Sequence, residues 1–173
     1  MSVEWTTNAD GAYEVSSAAH LLQIMNKGAL GTDTGTPPAD YWTSSYLQTS
    51  DIDLVNDHAN ILPIGEFSDR FTGTYDGGLF QIQNWTYSAT ESDAGLFGYA
   101  DGCTLRKLRL SGIWENLGIN LHSGFICGWL KGSAVYDVEG DFADGSAVGD
   151  RATNSAGGTL FGWMQYSVVQ GAT

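Results

Sequence analysis

The second half of this sequence is written three times. Residues 95–102 read GLFGYADG, residues 125–132 read FICGWLKG, and residues 159–166 read TLFGWMQY. Anchored on Gly98, Gly128 and Gly162, the spacing is 30 and then 34 residues. The match extends beyond the glycines. Leu96, Ile126 and Leu160 correspond, as do Phe97, Cys127 and Phe161, then Tyr99, Trp129 and Trp163, then Ala100, Leu130 and Met164. Further along, Leu105, Val135 and Val169 agree, and so do Leu108 and Val138. One such unit cannot bury its own apolar face, whereas stacked units bury a continuous one. A period near 30 with Gly-marked corners and short apolar runs specifies an all-β solenoid. No 3.6-residue periodicity occurs in residues 95–173, which excludes helical and leucine-rich repeats.

The repeat also sets expectations for single residues. Stacking places equivalent positions on adjacent strands, roughly 4.8 Å apart. Phe97, Cys127 and Phe161 should form one inward stack, and Trp129 and Trp163 should continue a stack begun by Tyr99. Cys103 falls in the slot of Ser133, on a different strand from Cys127, so the two cysteines should stay unbonded core residues.

Upstream, one helix stands out. Ala18, Leu21, Leu22 and Met25 fall at i, i+3, i+4 and i+7, predicting a helix over 16–27 that caps the solenoid. Ser16 or Ser17 can cap its start, Lys27 suits the last turn, and Gly28 can supply a left-handed stop. Residues 28–40 read as a surface loop. Residues 46–54 (YLQTSDIDL) read as one strand, and residues 63–65 and 71–78 as turns around short strands. The chain is thus one domain, 1–173, with a cap region over 1–45, first strands over 46–94 and three repeats over 95–173.

Composition prunes the partners. Twenty acidic against seven basic side chains give a net charge of −13, which disfavours nucleic acid and anionic membranes, since Lys and Arg carry binding to both. No apolar run approaches the roughly 18 residues of a membrane span, so membrane insertion is not expected. Hydrophobic residues at 42% and 173 residues in all allow a sizeable core without metal or disulfide staples. The first residues, MSVEWTT, carry neither a basic nor an apolar leader segment.

Taken in order, SSAAHLLQIMNKG, YLQTSDIDL, PIG, FTGTYDG and GLFGYADGCTLRKLRLSG resemble proteins carrying the GLUG motif, named for its Gly-Leu-any-Gly core. The resemblance runs from about residue 12 to the end, and Gly95-Leu96-Phe97-Gly98 is its closest copy. Phe125 and Thr159 replace the first Gly of the motif in the later copies, and residues 75–79 (YDGGL) depart from the family's usual corner. The resemblance implies a right-handed parallel β-helix and a surface or structural role, as in bacterial adhesins, large secreted repeat proteins and viral proteins. It implies no catalytic residue; no cofactor and no metal are expected.

Two acidic clusters are the candidates for chemistry. Asp137, Glu139 and Asp141 are spaced two apart, which suits Ca²⁺ or a glycosidase pair. The repeat favours a plainer account: Lys107 stacks on Asp137 and Arg109 on Glu139, a ladder of exposed opposite charges. Asp51, Asp53 and Asp57 with His58 could act as an acid–base site, but Asp side chains readily cap turns, and that reading is preferred. His20 and His122 have no companion at metal-ligand spacing. Asn84-Trp85-Thr86 is a formal glycosylation acceptor. Trp5, Trp42, Trp85 and Trp114 lie outside the repeat stack and are the candidates for a glycan- or protein-contacting surface.

The expected function is a non-catalytic structural or attachment protein. Its expected setting is the surface of a virion, in a capsid or appendage, where no export signal is needed. A bacterial-type cell-surface adhesin binding glycan or protein is the first alternative, and a carbohydrate-active β-helix enzyme the second. The third repeat stops partway through its unit. Either another protein subunit covers that rung, or the sequence is a fragment of a longer chain.

Overall fold

The structure, a computed structural model, describes residues 2–89, 93–116, 122–142, 156–157 and 160–173; at 58, 87–89, 113–116, 142 and 156–157 it describes backbone alone. The strands are β1 (Ser2–Trp5), β2 (Tyr13–Val15), β3 (Thr32–Gly35), β4 (Ser45–Gln48), β5 (Ile52–Asp53), β6 (Thr74–Asp76), β7 (Gln81–Ala89) and β8 (Phe97–Asp101). They continue with β9 (Thr104–Arg106), β10 (Arg109–Asn116), β11 (His122–Ser123), β12 (Cys127–Lys131), β13 (Ala134–Phe142), β14 (Ala156–Gly157), β15 (Phe161–Gln165) and β16 (Val168–Ala172). One helix, α1 (Ala18–Met25), interrupts them. The strands wind into a parallel β-solenoid of about five turns.

Three faces enclose one core. The first stacks β2, β4, β6, β9, β13 and β16, all parallel. The second stacks β5, β7, β10 and the later half of β13. The third stacks β8, β12 and β15. On the first face Tyr13, Tyr46, Tyr75, Leu105, Val135 and Val169 are consecutive register partners, and the central four are fully buried. Each such apolar side chain contributes about 1.5–3 kcal/mol on leaving water. That exceeds any exposed ion pair on the same strands. Burial forces the tyrosines to place their hydroxyls: Tyr46 donates to the Tyr41 carbonyl at 2.7 Å, and Tyr75 to Gln48 Oε1 at 3.3 Å.

The repeat register is the structural register. Phe97, Cys127 and Phe161 align, as do Tyr99, Trp129 and Trp163, and Ala100, Leu130 and Met164. Phe97 and Cys127 are fully buried, and Phe161 packs against the same core. The Cys103 backbone N–H donates to Ser133 Oγ, 3.2 Å away, and both cysteines are buried free thiols.

The repeated glycine has a steric cause. A Cβ on Gly98 would lie 2.4 Å from the Gly65 carbonyl oxygen, one on Gly128 2.7 Å from the Asp93 carbonyl carbon, and one on Gly162 2.4 Å from the Ser123 nitrogen. Backbone from the preceding turn lies flat against this column, and no side chain fits there.

Three local expectations change. The helix is shorter than 16–27, running Ala18–Met25; Ser17 stands at its N-cap, but its hydroxyl pairs with His20 Nδ1 at 2.8 Å instead of capping the backbone. At the other end Gly28 N–H reaches the Gln23 carbonyl at 2.9 Å and Lys27 N–H the Ile24 carbonyl at 3.4 Å, a Schellman arrangement. Lys27 (φ 50°), with Gly28 after it, takes the left-handed stop. Residues 46–54 are not one strand: Thr49–Asp51 form a corner between β4 and β5, because each strand belongs to a different face. Besides the helix, the N-terminus brings a second cover, because Thr7 bridges Tyr13 antiparallel along the edge of β2. Among the described residues no helix is long and apolar enough to cross a membrane.

Candidate functional site

In the first acidic cluster Asp51 and Asp53 hold neighbouring donors. Asp51 Oδ1 accepts from Gln81 N–H at 2.8 Å, and Asp53 Oδ1 from Val55 N–H at 3.0 Å and Asn84 Nδ2 at 2.8 Å. The Asn84 and Val55 donors hold the Asp53 carboxyl below its ordinary range. Asp57 stands at the N-cap of the short 3₁₀ turn His58–Asn60 without a side-chain capping bond; the His58 side chain lies outside the described residues.

The charge ladder is half as expected. Arg109 pairs with Glu139, its register partner. Lys107 and Asp137 make no ion pair among the described residues, because both sit at a left-handed corner (φ 51° and 53°) that turns their side chains out of the strand plane. Arg106 ends β9, Lys107 stands at the corner and Arg109 begins β10. Register-matched pairs form elsewhere: Asp76 with Arg106 at 2.7 Å and Asp101 with Lys131 at 3.4 Å. Asp137, Glu139 and Asp141 are all exposed, and among the described residues no group of three or more His, Cys, Asp or Glu converges as a cation site.

The tryptophans are exchanged. Trp5, Trp42 and Trp85, expected on a contact surface, are buried: they wedge under the N-terminal strands, under α1 and into the core between β7 and Phe125. The Trp114 side chain lies outside the described residues. Trp129 and Trp163, expected to continue the stack begun by Tyr99, do so, on the outer side of the third face. Tyr99 and Trp129 are 4.8 Å apart and Trp129 and Trp163 6.4 Å apart, with Trp163 45% exposed. The reason is a break in strict alternation along β8: Phe97 and Ala100 both belong to the core, leaving position 99 outward.

Phe67 continues this row beyond Tyr99. Its ring lies 5.9 Å from Tyr99, 6.3 Å from Trp129 and 5.9 Å from the Arg70 guanidinium, yet it is 62% exposed. The ring is thus held on three sides and presented on the fourth. It stands on the rim of a cleft of about 790 Å³ between the end of α1 and residues 62–68. That volume is within the roughly 300–1,000 Å³ usual for small-ligand sites. Met25, Trp42, Leu62 and Pro63 supply the apolar wall, and Lys27, Glu66 and Asp93 the charge.

The charges are arranged, not scattered. Lys27 lies over the Trp42 ring at 3.7 Å and is paired with Asp69. Asp93 Oδ1 takes His122 Nδ1 at 2.7 Å, and the imidazole in turn stacks on Trp129 at 4.3 Å. Asp93 Oδ2 makes no hydrogen bond among the described residues. Lys27 being neutralised, Glu66 and Asp93 leave the cleft net acidic. His20, by contrast, is an ordinary core residue, with Nε2 donating to the Glu4 carbonyl at 3.2 Å and the ring 4.8 Å from Trp5.

Sequence reasoning missed the Asp93–His122 pair and Phe67. The first had a signal: Ala94 bridges Ser123, so Asp93 lies one rung from His122, and extending the repeat upstream of Gly95 with one gap would have aligned them. Phe67 had none, since it belongs to no repeat. Comparison with protein-family models, with curated proteins and with solved structures finds no match.

Proposed function

We propose that this chain is a non-catalytic structural and attachment module of a virion surface, in a capsid or appendage, whose last turn is covered by another β-rung. The observation that carries this reading is the outer edge of β15 and β16. Trp163, Met164, Tyr166 and Val168 are exposed there, and among the described residues β15 pairs only with β12 and β16 only with β13. Apolar strand edges template further pairing unless charge or proline blunts them, and neither Lys, Arg nor Pro occurs after Arg151. The opposite edge, along β2, is covered by the chain itself. A second subunit or further sequence would cover that edge, and the virion or cell-surface setting rests on the GLUG resemblance.

The adhesin reading is favoured by a separate observation, the held and exposed Phe67 ring at an acidic cleft. The enzyme reading is the weaker one, because Asp53 is pinned by hydrogen bonds and Glu139 by Arg109. Sedimentation velocity tests the proposal. The wild-type chain should associate as its concentration rises, and Met164→Lys should weaken that association. Monomers of both at every concentration would contradict it.

A further inference from the structure

We infer that the cleft beside Phe67 binds a neutral hexopyranose, the terminal sugar of a glycan, which rests on the attachment reading and supplies its ligand. A pyranose presents one face of C–H groups and an edge of hydroxyls. The cleft offers the complement of both. Phe67 is a flat apolar ring flanked by Tyr99, Trp129 and Arg70 and open to solvent. Beside it, Asp93 and Glu66 are hydrogen-bond acceptors for paired hydroxyls, and Asp93 is held in place through Oδ1 by His122.

Charge decides which sugar. The one lysine lining the cleft is taken by Asp69 and by the Trp42 ring, and Arg70 beside Phe67 by Asp101, so among the described residues an anionic sugar would meet two carboxylates with no free cation. Uronates and sialates are therefore rejected, and uncharged hexoses accepted. The site is separate from the apolar rung at β15 and β16. Loss of one leaves the other standing.

The test titrates the full chain with galactose, glucose, mannose and glucuronate, following Trp42 fluorescence and the amide spectrum. At least one neutral hexose should give saturable changes at residues 62–67, with a dissociation constant on the order of 1 mM, and glucuronate none. Phe67→Ala, at an exposed position that leaves the core intact, should weaken binding about tenfold, as loss of one aromatic stack implies. Asp93→Asn should weaken it as well, whereas Trp163→Ala should not. No saturable change with any neutral hexose, equal binding of glucuronate, or binding indifferent to Phe67→Ala would each overturn the inference. A response to lysine amide but to no sugar would overturn it in favour of a basic peptide. Association through the last rung, read by sedimentation on the same samples, would be unaffected by any of these results.

Discussion

Gly128 lies so close to the backbone of Ala94 that a Cβ on it would stand 2.8 Å from the Ala94 nitrogen. This contact between one turn and the next is the physical content of the repeated glycine. Gly128→Ala is expected to destabilise the fold by about 2–3 kcal/mol, since backbone has to move and cannot yield as a side-chain tip would. Gly102→Ala, at φ 69° with nothing within 4 Å, should cost only about 1 kcal/mol of backbone strain. Urea unfolding of both variants checks the difference. Equal losses would mean that the column is not set by close approach.

The corner column Lys107, Asp137 and Gly171 has φ of 51°, 53° and 68°. Only glycine occupies such a conformation freely. Asp137→Gly should leave stability equal or slightly raised, whereas Asp137→Val should lower it by about 1 kcal/mol or more, β-branching being the least compatible with a left-handed residue. Thermal unfolding separates the two. A Val variant as stable as wild type would show the corner to be extended.

Burial pushes the Cys103 thiol from 9.0 up to about 11, and the fully buried Cys127 thiol and the Tyr46 and Tyr75 phenols rise for the same reason. A group whose pKa is raised on folding binds its proton more tightly in the folded state. Its contribution is complete below the unfolded value and is lost as pH rises through the folded one. Stability should therefore fall between about pH 9 and pH 11, by on the order of 1 kcal/mol at about pH 10 from Cys103 alone. Urea midpoints across that range check it, and below about pH 8 both thiols should resist a disulfide reagent until the chain unfolds. A flat alkaline profile or prompt labelling would contradict the buried register of Cys127.

Donors from Asn84 and Val55 hold the Asp53 carboxyl below its usual range, the reverse of what a general acid needs. The purified protein is expected to release no reducing sugar from plant, algal or bacterial polysaccharides. Turnover abolished by Asp53→Asn or Glu139→Gln would restore the enzyme reading.

The register of the solenoid is legible because stacking demands the same residue class at the same place each turn, as Phe97, Cys127 and Phe161 show. Direction was not legible. Strand alternation assigns faces only while the pleat is regular, and β8 breaks it by turning both Phe97 and Ala100 inward, so Trp129 and Trp163 face outward while Trp85 fills the core. Nor was the cleft legible, because it joins Lys27, Trp42, Phe67 and Asp93, which lie far apart in sequence and outside the repeat. The corner at Thr49–Asp51 was hidden for another reason. Its two flanking strands are both apolar-patterned and differ only in which face they join.

Amide hydrogen exchange in β15, followed against protein concentration, tests the covered last rung most directly. The account predicts that amides of residues 127–131 are protected at every concentration. The outer-edge amides of residues 161–165 should exchange quickly in dilute solution and become protected as subunits associate. Strong protection of 161–165 that is the same at the lowest and highest concentrations would show the edge to be self-covered, and would contradict the proposal.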